Sequence, residues 1–198
     1  MTRPFLLGLT GSIGMGKSTT AKMFAEAGIP VWDADATVHA LYATGGAAVA
    51  PIGALFPQAV VDGAIDRGAL KKVIAEDKTA LSRLESIVHP LTAQSREAFI
   101  TDHRDADLVL LDIPLLFETG ADNLCDAVLV VSAPPEVQRT RVLERGTMEA
   151  AQLDLILSRQ TPDAEKRARA DHVIETLTLE QTRAAVQALI AKIRGRHA

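Results

Sequence analysis

Phe5-Leu6-Leu7-Gly8-Leu9-Thr10-Gly11-Ser12-Ile13-Gly14-Met15-Gly16-Lys17-Ser18-Thr19 is the stretch on which the reading of this chain turns. Phe5 to Leu9 is a short apolar run between Pro4 and Gly11, and reads as a strand. Gly11 to Ser18 matches G-x-x-x-x-G-K-[ST]. Ser18 to Ala27 then carries a helical pattern closed by Gly28. The order strand, glycine loop, helix is the one in which this motif acts. Its glycines take positive φ and let a phosphate approach where a Cβ would intrude. Loop N–H groups and the positive end of the helix hold the oxygens. Lys17 reaches the β- and γ-phosphates and the Ser18 hydroxyl holds Mg²⁺. A triphosphate site made of Gly11, Ser12, Ile13, Gly14, Met15, Gly16, Lys17, Ser18 and Thr19 is therefore expected.

The rest of the chain extends this start into an α/β fold. Pro30–Asp33, Leu108–Asp112, Ala127–Val131 and His172–Glu175 are further short apolar runs, separated by helical patterns. Continuous rather than alternating apolar strands suit a parallel sheet covered on both faces. Helices between them imply right-handed crossovers. Residues 45–105 show helical pattern and no convincing strand of that sheet. Leu70, Val73 and Ile74 fit one helix face, and Leu81, Leu84, Ile87 and Val88 another. Residues 136–170 are helical and rich in arginine.

Composition narrows the function classes. The 198 residues are 47% apolar and 23% charged, ordinary globular usage. One cysteine, Cys125, excludes an internal disulfide and a thiolate zinc site. No apolar run is long enough to span a bilayer, and the first residues lack the layout of a cleaved signal. A net charge of −4 and 4% aromatic residues argue against nucleic acid as partner. A cytoplasmic chain without nucleic-acid or membrane partners, monomeric or a weak homo-oligomer, is the expectation.

Three further positions carry candidate chemistry. Asp33 and Asp35 follow the second strand, and ligands of an open parallel sheet bind at the carboxyl ends of its strands. A carboxylate there can take a hydroxyl proton during attack on the γ-phosphate, the role assigned to Asp33. Asp35 is expected to cap the next helix. Asp112 ends the apolar strand at Leu108–Leu111, where a carboxylate helps hold Mg²⁺. Arg141 and Arg145 share a helix face and could close over a triphosphate, neutralising charge and excluding water. Read without context, His89 before Pro90 is a helix C-terminal residue and Cys125 a small core residue.

Together, Leu9 to Thr19, Asp33-Ala34-Asp35, His89-Pro90 and Asp112-Ile113-Pro114-Leu115-Leu116-Phe117-Glu118 resemble the dephospho-coenzyme A kinase family in order and spacing, from about residue 5 to 175. The resemblance implies a three-layer α/β P-loop kinase fold: one domain, residues 1–198, with a parallel five-stranded sheet. Its core would be about 1–44, 106–135 and 171–198, with a helical acceptor-binding insertion at about 45–105 and a helical lid at about 136–170. It implies transfer of the ATP γ-phosphate to the ribose 3′-hydroxyl of dephospho-coenzyme A, with ATP and Mg²⁺ required. Asp33, Lys17 and Arg141 would be catalytic, and Arg141 and Arg145 would be lid arginines on ATP. Asp33, Arg67, His89, Pro90, Asp112, Leu115 and Glu118 would border the acceptor, with Ser18 and Asp112 at the metal. Gln160 falls where the family tends to have a glutamine. Two departures stand out: Ser12 replaces a usual glycine, and Glu175-Thr176-Leu177 replaces an Asp-Asn and nearby glycine beside the adenine.

Another small-molecule P-loop kinase, acting on a nucleoside, nucleotide or sugar, explains the loop, Asp33 and the arginines equally well. It leaves Asp112 to Glu118 unexplained. A nucleotide-driven switch lacks support: no Asn/Thr-Lys-x-Asp guanine motif and no Leu-Ser-Gly-Gly segment are present.

Overall fold

A computed structural model describes residues 3–146 and 148–197. Its main sheet is parallel, with β1 (Phe5–Thr10), β2 (Val31–Asp33), β5 (Leu108–Asp112), β6 (Ala127–Ser132) and β7 (His172–Glu175) in the order β2-β5-β1-β6-β7. Leu9 stands opposite Asp112 on one side and Leu129 on the other. Every residue of β5 and β6 is buried, as continuous apolar strands between two helical layers require. The Leu110 N–H donates to the Pro30 carbonyl (2.9 Å), which sets β2 beside β5.

The chain divides into two compact units. One runs to Trp32 and resumes at His103; it holds α1 (Lys17–Glu26), α6 (Pro135–Glu144), α7 (Ala150–Leu157), α8 (Asp163–Arg169) and α9 (Leu179–His197). Its core is formed by Leu7, Leu9, Phe24, Leu108, Leu110, Leu129, Val131 and Ile190, among others. Residues 136–170 cluster with this unit and do not form a body of their own. Gly28 has φ +80° and its N–H donates to the Ala25 carbonyl (2.9 Å), ending α1 as expected.

The other unit is Asp33–Asp102. It contains α2 (Ala34–Tyr42), α3 (Val49–Leu55), α4 (Arg67–Glu76) and α5 (Ala80–Asp102) around a second core of Tyr42, Ile52, Phe56, Leu70, Val73, Leu84 and Val88. It starts a dozen residues before the expected insertion, because α2 packs with α5. It also holds a hairpin that the apolar pattern did not announce, β3 (Val60–Val61) paired antiparallel with β4 (Ala64–Ile65). Asp62 (φ +51°) and Gly63 (φ +75°) make its two-residue turn, and Asp-Gly is the dipeptide such turns favour. Leu81, expected on the apolar face, is 47% exposed. Among the described residues no helix is long and apolar enough to cross a membrane.

Candidate active site

The glycine loop is built as its sequence dictates. Gly14 (φ +79°) and Gly16 (φ +85°) are left-handed, and α1 begins at once after Gly16. Ser12 is buried and does not have positive φ; among the described non-glycine residues Asp62 alone does. A serine therefore sits where the family has glycine without backbone strain. The loop is gripped from outside. Gln138 Nε2 donates to the Ile13 carbonyl (2.7 Å), and the Ile13 N–H donates to Gln160 Oε1 (3.4 Å). Thr176 Oγ1 donates to the Met15 carbonyl (2.9 Å).

A Cβ on Gly14 would lie 2.5 Å from Val142 Cγ2 and 3.1 Å from the Gln138 carbonyl oxygen. Gly14→Ala should therefore cost about 2 kcal/mol or more, left-handed strain alone accounting for about 1–2, and should weaken nucleotide binding. Urea unfolding checks the first effect and calorimetry with ADP the second; a variant as stable as the parent would contradict this geometry.

Lys17 and Asp112 meet at the carboxyl end of the sheet. The Lys17 ammonium donates to Asp112 Oδ1 at 2.6 Å, with the carboxylate side chain only 3% exposed. β5 delivers Asp112 and the first turn of α1 delivers Lys17. A lysine so placed is largely shielded from water, and a polyphosphate can compete for it with the carboxylate. Ser18 is exposed on that same first turn. A hydroxyl and a carboxylate are hard oxygen donors, and with phosphate oxygens they make a set suited to Mg²⁺ rather than to a softer metal. Among the described residues no cluster of three or more His, Cys, Asp or Glu forms a metal site from protein alone.

The arginines of α6 are differently occupied. Arg141 Nη1 donates to Thr176 Oγ1 (3.0 Å), and Nη2 donates to the Thr176 and Leu177 carbonyls, the latter at 3.3 Å. Arg141 thus ties α6 to the segment that departs from the family pattern, and Thr176 carries the tie on to Met15. Arg145 lies exposed at the C-terminal end of α6. Leu115 is 42% exposed beyond β5.

Glu118 faces a partner that sequence reading did not single out. Its Oε1 accepts from the Thr161 N–H (2.8 Å) and lies 2.9 Å from the Lys166 ammonium, which is fully buried. Burial pushes the Glu118 carboxyl up, but the Lys166 ammonium beside it and the hydrogen bond from the Thr161 N–H outweigh this, and the group lies below the usual carboxylate range. A depressed carboxylate contributes stability that is present above its unfolded value and is lost as pH falls through the folded value. The stability advantage of the parent over Glu118→Gln should hold near neutrality and shrink below about pH 4.3. Thermal melts across that range check it; a difference independent of pH would refute the assignment.

In the second unit, Asp33 rather than Asp35 caps α2: the Ala36 N–H donates to Asp33 Oδ1 (2.9 Å), and Asp35 falls within the first turn. The extended backbone of Asp33 (φ −113°, ψ 118°) is that of an N-cap. Arg67, first residue of α4, lies over the Tyr42 ring at 5.8 Å. His89 and Pro90 do not end a helix. Both lie exposed inside α5, which continues to Asp102. Cys125 is half-buried rather than a core residue, close to the Gly8 backbone.

The sequence matches the family profile CoaE, dephospho-CoA kinase, over residues 5–180. The chain belongs to the dephospho-CoA kinase family. A dephospho-CoA kinase of Cereibacter sphaeroides is 65% identical over 192 residues, 97% of each chain. The crystal structure of TT1252 from Thermus thermophilus is 34% identical, covers 96% of this chain and 98% of that one, and superposes with a TM-score of 0.84. The dephospho-CoA kinase structure from Campylobacter jejuni, at 23% identity and TM-score 0.67 over 95% of this chain and 96% of that one, shares the fold. Membership makes the chain an ATP-dependent kinase and supports the three-layer P-loop reading of its fold. The grips of Gln138 on Ile13 and of the Thr176 hydroxyl on Met15, and the buried Lys166 beside Glu118, are contacts that the sequence did not disclose. Lysine and glutamine within charged helices read as solvated surface, and nothing local marks them as buried.

Proposed function

We propose that this chain transfers the γ-phosphate of ATP to the ribose 3′-hydroxyl of dephospho-CoA, giving CoA and ADP, the last step of CoA biosynthesis. The observation that carries the reading is the dephospho-CoA kinase match over residues 5–180, with Lys17 held against Asp112 beside the glycine loop.

The loop N–H groups between Gly11 and Thr19, apart from those of Ile13 and Met15 that donate to Gln160 and Ser12, bind the triphosphate and fix its orientation, and Lys17 leaves Asp112 for the β- and γ-oxygens. Ser18 and Asp112 would hold Mg²⁺, whose chemistry when bound is to neutralise charge on the β- and γ-phosphates. Asp33 takes the proton of the acceptor hydroxyl. Its place at the carboxyl end of β2 supports the role, as does a second carboxylate oxygen beyond the one used in capping. Arg67, His89, Pro90 and Leu115 border the acceptor on this reading. Arg145 supplies cationic charge to the phosphates. Arg141 acts through its grip on Thr176 and Leu177, and joins the phosphates if it exchanges those carbonyls for them. The acceptor is a small molecule, and the reaction is assigned to the cytoplasm, in keeping with the lone thiol of Cys125.

The test mixes protein, ATP–Mg²⁺ and dephospho-CoA and follows CoA by mass, with a nucleoside, a nucleotide and a sugar as competing acceptors. CoA as the dominant product is the expected outcome. Preferential phosphorylation of a competitor would move the chain to another small-molecule kinase activity.

A further inference from the structure

We propose that the buried Lys166–Glu118 pair is a positioning device for the phosphate loop, acting through Gln160 on the peptide of Ile13. The proposal rests on the reading of that loop as the ATP phosphate site. Every group in it belongs to the unit that holds the main sheet.

Ile13 is held on both sides of its own backbone, its carbonyl by Gln138 and its N–H by Gln160. Gln138 is a fixed helix residue, 6% exposed. Gln160 is not: it lies in the connection between α7 and α8, with its N–H on the Leu157 carbonyl (3.2 Å) at the end of α7. The N-terminal side of this connection is tied back to α7, and its C-terminal side is fixed by one carboxylate oxygen. Glu118 Oε1 accepts from the Thr161 N–H, the residue after Gln160, and the same oxygen meets the Lys166 ammonium five residues further on. Both ends of residues 161–166 are thus pinned to a single atom on the segment that follows β5. Gln160 can reach the Ile13 N–H only if that segment keeps its place.

The choice of residues points the same way. Lys166 is fully buried, and its ammonium has no partner of good hydrogen-bond geometry although Glu118 lies at 2.9 Å. Desolvating a cation in this way adds little net stability over an apolar residue of similar volume. A methionine would pack there without the cost. A charge pair does what packing cannot: it specifies one position for Glu118 Oε1, and hence for Thr161 and Gln160. Glu118 is therefore assigned to the donor side of the reaction, not to the acceptor.

The test is a double-mutant cycle on ADP affinity, read by calorimetry, among the parent, Gln160→Ala, Lys166→Met and the double variant. Each single change should weaken ADP binding about fivefold or more, the scale of one lost hydrogen bond. The double variant should be no more than about twofold weaker than Lys166→Met, because both changes interrupt one path. In turnover, KM for ATP should rise while KM for dephospho-CoA stays unchanged, a split that general loosening of α8 would not produce. Multiplying losses, an unchanged affinity in either single variant, or equal rises in both KM values would each overturn the proposal. Should Lys166→Met fail to fold, Glu118→Gln replaces it in the cycle; it keeps an acceptor for Thr161 and removes the charge. A parent that binds ADP but makes no CoA leaves this test intact and refutes the acceptor instead. A parent that does not bind ADP refutes both.

Discussion

Lys17→Ala should lower kcat/KM for phosphoryl transfer by about 10²–10³-fold, the scale of removing one preorganised charge donor from a transferring group. The side chain stands 2.6 Å from Asp112, so its loss has a second consequence. Asp112 is 3% exposed, and without the ammonium this carboxylate stays buried with its charge uncompensated by Lys17. Breaking such a pair from one side costs about 3 kcal/mol or more. Stability and catalysis can therefore be separated. Lys17→Ala combined with Asp112→Asn should recover much of the lost stability and none of the activity. Melting curves and steady-state rates on the four proteins decide it. Near-parental turnover in Lys17→Ala would remove the loop from the role given to it.

Asp33→Asn should lower kcat by about 10²–10⁴-fold, the usual contribution of a general base, while ATP affinity stays close to that of the parent. The cap geometry makes this variant unusually clean. Asparagine caps a helix as well as aspartate, so the bond from the Ala36 N–H survives and the melting temperature should not move. Asp33→Ala loses the cap as well and should fall by about 1 kcal/mol in stability. If Asp33→Asn turned over at the parental rate while Asp33→Ala only destabilised, the residue would be a cap and nothing more. Pre-steady-state rates with dephospho-CoA, beside thermal melts, distinguish the two.

Much of the sheet was legible because its signal is local. Leu108–Asp112 and His172–Glu175 stand where the apolar runs put them. Leu108–Leu111 is buried on both faces and so is written as an uninterrupted apolar run, whereas the edge strand His172–Glu175 buries only Ile174. The loop was legible for a similar reason: phosphate approach needs glycine at particular steps, and Gly14 and Gly16 do have positive φ. The turn of the small hairpin was also written, in Asp62-Gly63, but strands of two residues give no apolar period to read.

Pro90 misled because its local cost is real and its compensation is distant. A proline inside a helix costs about 3 kcal/mol. Leu84 and Val88 before it, and Leu91 after it, pack against one core, and Thr92 Oγ1 donates to the Val88 carbonyl (2.8 Å). That packing carries the helix through. The cap fell to Asp33 and not to the expected Asp35 because either side chain can accept from the following turn, and where the strand ends decides between them.

The sequence by itself determined the parallel α/β plan, the phosphate loop and the presence of Lys17, Asp33 and Asp112 at strand and helix ends, because each rests on residue type at a fixed local spacing. Only the tertiary structure decided that Lys17 rests on Asp112, that Arg141 holds Thr176 and Leu177, and that Lys166 is a buried cation beneath Glu118. Partners separated by 95, 35 and 48 residues in the chain meet through the crossovers of the sheet. Whether a charged side chain is solvated or committed depends on what those crossovers bring against it.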